Sequence, residues 1–501
     1  MLKYGIVWYI RRDGGVGVMI PDSIKQYRPK GTEIQEKSGH YYVHKVQAYY
    51  DKETKKSRRK TLGCIGQIYE GIGFVPNSKE TEKEYTAKEY GATRLIMQLT
   101  EDIYEKLREC FPSDFLRIYT LAVLKLLNNT SQKDIDLAYV RSAISELLPE
   151  VHLSKNTLSD FLVKLSLERG NMMRFMREFV NCQGDSIILD GSSFLSNSKK
   201  NSYSNKGYSP GHIGQSQVRL IYAFNNSDRM PIYFRLIPGN ISDKAAFEES
   251  MTELKKTDCT AILDKGFYSK KNINFMIGAA LSFIVALPKN YSEVNEDDKD
   301  FTASEQKGIR FFSYHKRIIF YKEITSERHL NSKICIFYDN ERRKDLIENF
   351  YKEKQNDEGE LPEDIQADLY NLTKNFGVSL LLTNKNCEAL TVFHDYKMRW
   401  NIEEMFDHHK NTLGFDMSYE TRQEVQEGWA FIEYLSLLMY YKLDGILVEK
   451  NLLKTYRVKD ILFRASSIIQ TRVDDKWYIC NMTTKFQTLF ETLGVTLVPI
   501  P

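Results

Sequence analysis

The chain has 501 residues, 42% of them apolar and 27% charged, which is enough to bury several cores and too long for one ordinary domain. A formal net charge of +3 is weak evidence for a nucleic-acid partner when taken over the whole chain, so local charge decides more. Seven scattered cysteines with no C-x2-C pair argue against a disulfide framework or a thiolate zinc site. The longest apolar run, 277–287, is too short for a bilayer, and no signal peptide is read ahead of the first strand pattern, so the expectation is a cytoplasmic protein with no membrane partner.

The first region, 1–81, reads as a β-hairpin region. Its hairpin, 41–68, gathers Lys52, Lys55, Lys56, Arg58, Arg59 and Lys60 at the turn. A basic tip neutralises phosphates and makes binding salt-dependent, although a solvated loop has the same composition. Residues 82–180 are helical in pattern and form a possible DNA-binding domain. The segment HLSKNTLSDFLVKL opens on Ser154 as candidate N-cap and repeats apolar residues at Leu158, Phe161, Leu162 and Leu165. Both the second helix of a helix-turn-helix and a plain packing helix read this way.

Between 181 and 289 the pattern alternates strands and helices. SIILDGSSF is a short apolar strand, 187–189, that ends in Asp190 and breaks at Gly191. Strands at 217–224 and 231–237 flank the turn NNSDRM, and a helix spans 244–255. CTAILDKGFYS repeats the first design, with a strand at 261–263 leading to Asp264; a helix after Ser269 and a strand at 283–287 follow. A carboxylate just past a buried strand is held rigidly while its oxygens stay accessible, though either acid alone also suits a turn or an N-cap. Strand, strand, strand, helix, strand, helix, strand is the order of the ribonuclease-H-like fold, in the α/β class.

Residues 290–376 exceed what a crossover needs and read as an insertion domain. GIRFFSYHKRIIFYKEI and KICIFYD are β-rich, and a charged helical stretch covers 341–374. Phe311, Phe312, Tyr314, Phe320 and Tyr321 fit half-buried strand aromatics, with base stacking as the alternative. The strand and helix pattern resumes over 377–420 with a buried strand at 378–382 and then YKMRWNIEEMFDHHK, where Tyr396, Arg399, Glu403 and Lys410 spell Y-x2-R-x3-E-x6-K. On one helix, at about 100° per residue, these four fall within an arc of about 60°. Met398, Ile402, Met405, Phe406 and Leu413 form an apolar stripe beside it; Lys397, Asn401, Glu404 and His408 take the solvated side. His408 and His409 read as surface or packing residues. An i,i+4 pair of Arg399 and Glu403 accounts for part of the cluster. Convergence of Glu403 with Asp190 and Asp264 accounts for the rest, and three such oxygen donors can hold a pair of Mg²⁺ or Mn²⁺ ions. The C-terminal region, 421–501, is helical, and its apolar run 429–443 is expected to close the catalytic domain and supply dimer contacts.

These residues together resemble the DDE transposases of bacterial insertion sequences, in the insertion-sequence family four superfamily, whose third acid lies in Y-x2-R-x3-E-x6-K. The resemblance covers DGSSF at Asp190, the stretch 206–243 from KGYSPGH to PGNISD, LDKGFYS at Asp264, FIVALPKN, LLLTN at 380–384 and the block 396–410. RPKGTEI at Arg28 and the hairpin segment extend it toward the N-terminus. It implies a ribonuclease-H-like catalytic domain in which Asp190, Asp264 and Glu403 form a catalytic, metal-binding triad for two Mg²⁺ or Mn²⁺ ions. Tyr396, Arg399 and Lys410 would support Glu403 or contact terminal DNA. The implied partners are double-stranded DNA, as terminal inverted repeats and target, and a second copy of the chain in a synaptic complex at the bacterial nucleoid. Relatives carry a base-stacking tryptophan in the insertion, whereas this chain has tryptophan at Trp8, Trp400, Trp429 and Trp477, all outside it. A ribonuclease-H-like nuclease without strand transfer and a domesticated DNA-binding protein are the other readings; the presence of all three acids favours an active enzyme.

Overall fold

The computed structural model describes residues 8–10, 16–18, 20–51, 54–77, 86–180, 186–209, 212–256, 258–301, 309–356, 359–412, 414, 417–418, 420–473 and 476–498. It divides into two compact units, Met1–Thr86 with Val473–Asp475, and Ala87–Arg472 with Lys476–Pro501.

In the first unit β1 (Thr32–Lys37), β2 (His40–Asp51), β3 (Lys56–Tyr69) and β4 (Gly73–Pro76) form an antiparallel meander. Ser38 and Gly39 turn β1 into β2 with φ of 53° and 82°, the left-handed pair whose twist matches that of hairpin strands. Ile24, Ile34, Val43 and Ile68 make the small core. The expected hairpin is β2 with β3, inside this larger sheet. Lys55, Lys56, Arg58 and Arg59 are exposed at its turn end, where Arg58 pairs with Asp51 at 3.1 Å; Lys52 lies outside the described residues.

The second unit is a mixed α/β body built on one long sheet. Its strands are β5 (Ser186–Ser196), β6 (Ser216–Asn225), β7 (Met230–Pro238), β8 (Thr260–Leu263), β9 (Ser282–Ala286), β10 (Arg310–Tyr314), β11 (Arg317–Thr325), β12 (Lys333–Asp339) and β13 (Val378–Thr383). They run in the order β7-β6-β5-β8-β9-β13-β12-β11-β10. β6 is antiparallel to β5 and β7, while β8 lies parallel to both β5 and β9. The chain order of strands and helices from β5 to β9 is the expected one. β5 is longer than its apolar run suggested: β6 pairs with it without interruption from Leu195 to Ile187, which carries the strand through Gly191 and puts Asp190 mid-strand. The strands within 290–376, the stretch read as an insertion, build no sheet of their own among the described residues. Through antiparallel pairing of β12 with β13 they extend the central one, and His315 and Lys316, both at positive φ, turn β10 into β11.

The helices that matter here are α1 (Gly91–Leu99), α2 (Phe115–Asn128), α3 (Lys155–Leu167), α4 (Asp243–Leu254), α5 (Lys270–Gly278), α6 (Asn340–Lys354), α7 (Ala389–Lys397), α8 (Trp400–Asp407) and α9 (Gln423–Glu449). α9 runs through the core with nearly all of 425–447 buried and packs on α2, α3 and β7. This corrects the expectation that 429–443 supplies dimer contacts, because its apolar surface is consumed inside the chain. Leu158, Phe161, Leu162 and Leu165 of α3 are buried, and α9 comes so close that a Cβ added at Gly428 would stand 2.3 Å from the Leu162 carbonyl oxygen. Among the described residues no helix is long and apolar enough to cross a membrane.

Candidate active site

Strand register brings the first two acids together. Leu263 of β8 pairs in parallel with Leu189 of β5, neighbouring strands whose backbones lie about 4.8 Å apart, so the next residues along, Asp264 just past the end of β8 and Asp190 within β5, follow side by side. β8 ends at Leu263, and a single 3₁₀ turn, Lys265–Phe267, carries the chain away from Asp264. Gly191 lets Asp243 come close: a Cβ there would stand 2.2 Å from an Asp243 carboxylate oxygen, which would have to shift. Asp243, the first residue of α4, accepts a hydrogen bond from Arg219 Nε at 3.1 Å and so keeps its own counter-charge.

The third acid arrives on a broken helix. The sequence pattern predicts one continuous helix for Tyr396, Arg399, Glu403 and Lys410; instead α7 stops at Lys397, α8 starts at Trp400 and a π-helical turn covers His408–Thr412. At the joint Arg399 N–H donates to the Tyr396 carbonyl and Ile402 N–H to that of Arg399, a three-residue tightening in place of the α spacing. Ile402, Met405 and Phe406 bury the expected stripe, Met398 is 43% exposed at the joint, and Leu413 lies outside the described residues. Phe406 packs on Tyr222 of β6 with ring centroids 5.9 Å apart, and Tyr222 is the cross-strand partner of Asp190. Directly paired residues share a sheet face. α8 therefore docks over the level of the sheet that carries Asp190. Asn401 Nδ2 donates to Asn226 Oδ1 at 2.7 Å, which fixes the helix against the β6–β7 turn.

Side chains of the Tyr396–Glu403 segment tie the three acids. Arg399 donates through Nη1 to Asp190 Oδ2 at 3.1 Å and through Nη2 to Glu403 Oε1, while the Tyr396 hydroxyl donates to Asp264 Oδ1 at 3.2 Å. Burial, with Asp264 and Asp243 nearby, pushes the Asp190 carboxyl up to about 6 against the pull of Arg399 and of the Gly191 N–H. Burial also raises Tyr396, and Asp264 adds to it. Burial opposes the Arg399 charge, yet Tyr396, Asp190 and Glu403 outweigh it and hold the guanidinium above its ordinary pKa.

Asp264, Tyr396, Arg399 and Glu403 face a cleft of about 750 Å³ whose other walls carry Lys265, Lys289, Arg342 and Lys397, with Trp400 at its rim. Lys410, on the π turn, does not line it. Of the residues read as a solvated face, Lys397 lines the cleft, Asn401 holds the turn, and His408 Nδ1 shares a hydrogen bond with the Tyr441 hydroxyl at 3.2 Å. His409 is buried, its ring 5.4 Å from that of Tyr222, and burial lowers it to about 3. Sequence reasoning read Lys397 as solvated and gave Lys265, Lys289 and Arg342 no role, because the four come from separate elements; the tryptophan beside Arg399 was visible in the sequence but not its 64% exposure. Three carboxylates are the hard oxygen donors that Mg²⁺ and Mn²⁺ take, and a cation would favour the charged form of Asp190 against the burial and, to a smaller extent, the neighbouring acids that raise it. The donor set fits such an ion by chemistry. Arg399 stands between two of the carboxylates, and among the described residues no three acidic, histidine or cysteine side chains are close enough to share an ion.

Comparison with known proteins gives a family. The profile described as "Transposase DDE domain" matches residues 182–439, just over half of the chain, and spans all three acids. The chain belongs to the DDE transposase family. Divalent metal ions are general to DDE transposases. A solved structure titled as the cryo-EM structure of a piggyBac transposase synaptic complex with hairpin DNA is similar at 10% identity and a TM-score of 0.39, covering 75% of this chain and 78% of that one. No curated protein matches the chain.

Proposed function

We propose that this DDE transposase serves an insertion sequence, binding its terminal inverted repeats and cutting and transferring DNA strands on a ribonuclease-H-like core with Asp190, Asp264 and Glu403 as the triad. The β5–β8 register carries this reading, since it sets two carboxylates side by side at the place where Arg399 ties in the third. Asp190, Asp264 and Glu403 would hold Mg²⁺ or Mn²⁺. Two such ions, when bound, supply Lewis acidity to the attacking and leaving oxygens of an in-line phosphoryl transfer.

The chain's own residues prepare that geometry. Tyr396 orients the Asp264 carboxylate through its hydroxyl proton, and the raised pKa that keeps this proton in place makes Tyr396 a poor nucleophile. No covalent protein intermediate is needed. Arg399 holds Asp190 and Glu403 toward one another, and the fork of its guanidinium would equally suit a phosphate at the same spot. Lys410 and the hairpin cations Lys55, Lys56, Arg58 and Arg59 are assigned to DNA outside the cleft, and two copies of the chain to the paired ends.

The test replaces each acid at nearly constant volume. Asp190→Asn, Asp264→Asn and Glu403→Gln should each abolish cleavage of inverted-repeat DNA and leave its binding largely intact. Full cleavage by any of the three, or by the natural chain in excess chelator, defeats the triad.

A further inference from the structure

The wall of the cleft facing the acids has a charge problem. Lys265 leaves the turn after β8, Lys289 follows β9, Arg342 begins α6 in the insertion and Lys397 ends α7, and all four line the same cleft. Among the described residues none of the four has a carboxylate within salt-bridge reach of its side chain. Asp339, the acid whose charge Lys397 feels, is engaged by Arg317 at 3.6 Å and accepts from the Arg342 N–H at 2.9 Å. Two of the ammonium groups rest on rings instead, Lys289 over Phe376 at 5.4 Å and Lys397 over Phe393 at 4.9 Å. A ring face steadies a cation without using up its hydrogen-bond donors. Burial lowers both Lys289 and Lys397, and Arg342 adds to the lowering in each case, so the cations repel one another.

Like charges gathered without counter-ions weaken a fold and are kept where a polyanion arrives. The cleft, about 750 Å³, is of small-ligand size and admits a separated strand but not a duplex. We propose that Lys265, Lys289, Arg342 and Lys397 form a subsite for the phosphates of a single DNA strand, parted from its complement where it passes Asp264 and Glu403. The proposal rests on the transposase reading and adds to it the strand state and the residues that hold it. Arg342 also gives the insertion a task, since through it α6 reaches the cleft beside β13.

Binding can be read without cleavage, in chelator, by the fluorescence anisotropy of a labelled single-stranded inverted-repeat oligonucleotide over a series of salt concentrations. The triple variant Lys289→Gln, Arg342→Gln, Lys397→Gln should flatten the plot of log binding constant against log salt by about 2, at about 0.7 per lost single-strand phosphate contact. A blunt duplex should show a smaller change, and Lys485→Gln, on the helix Thr484–Thr492, none. An unchanged slope in the triple variant, a larger change for duplex than for strand, or an equal change from Lys485→Gln would overturn the subsite. Removing mutually repelling cations should leave the melting temperature unchanged or higher; a fall would mark them as structural and also overturn it. Since the acids play no part in this measurement, loss of the triad assignment and loss of the subsite give separate results.

Discussion

At the scale of single residues, Arg399 separates two accounts of the Y-x2-R-x3-E-x6-K pattern. An exposed i,i+4 helix pair is worth about 0.5 kcal/mol. Here the guanidinium is mostly buried and contacts two carboxylates from different elements. Arg399→Ala should therefore lower DNA cleavage by orders of magnitude with the fold intact, and unchanged cleavage would return the residue to a simple pair. The same variant leaves Asp190 and Glu403 without their counter-charge. In chelator its stability should fall by about 1–3 kcal/mol, the usual cost of an unpaired buried group, and Mn²⁺ should restore more of it than in the natural chain. Thermal melts with and without Mn²⁺ measure this, and equal response of both proteins would contradict it.

At the scale of elements, close approach and capping make two further expectations. Gly191→Ala sets a methyl group against the Asp243 carboxylate on a strand that cannot move without breaking its ladder, so denaturant unfolding should show a loss of about 1–3 kcal/mol. Glu89 caps α1: its Oε1 accepts from the Ala92 N–H at 2.8 Å and its Oε2 from the Thr93 hydroxyl at 2.6 Å. Burial nonetheless pushes this carboxyl from 4.5 up to about 7. The folded form then binds a proton more tightly than the unfolded form. Stability is greatest below about pH 4.5 as far as this group is concerned, and declines as pH rises toward 7, by at most about 3 kcal/mol. Glu89→Gln should remove that decline in a series of unfolding curves from pH 4.5 to 7.5; an identical pH slope in the variant would refute the linkage.

At the scale of the whole molecule, α9 is the central beam and not a docking face. Leu437 is fully buried in it, so Leu437→Ala should cost about 2–5 kcal/mol in chemical denaturation while the number of chains per complex stays the same. Pairing two DNA ends before cutting still calls for two active sites. Sizing the protein with and without inverted-repeat DNA should give a two-chain complex in the presence of both ends, and cleavage by a strictly one-chain complex would exclude that assembly.

How far these features could be read from the sequence depends on whether neighbours in space are neighbours in the chain. Strand positions from β5 to β13, the two Asp residues at their apolar runs, and the four-residue pattern around Glu403 were legible, because period-2 and helical hydrophobic patterns are local properties. The family followed from those local motifs. What the sequence could not hold is whatever register and packing decide. That β5 continues through Asp190 depends on β6 pairing across it, and the break between α7 and α8 shows only in the three-residue hydrogen bonds at Arg399 and Ile402. The apolar run 429–443 looks the same whether it faces a partner or the chain's own core, and contact with α2, α3 and β7 settled that. The four cations opposite the acids are far apart in sequence and unremarkable one by one. Tertiary structure alone made them one wall, because charge acts through distance in space and not along the chain.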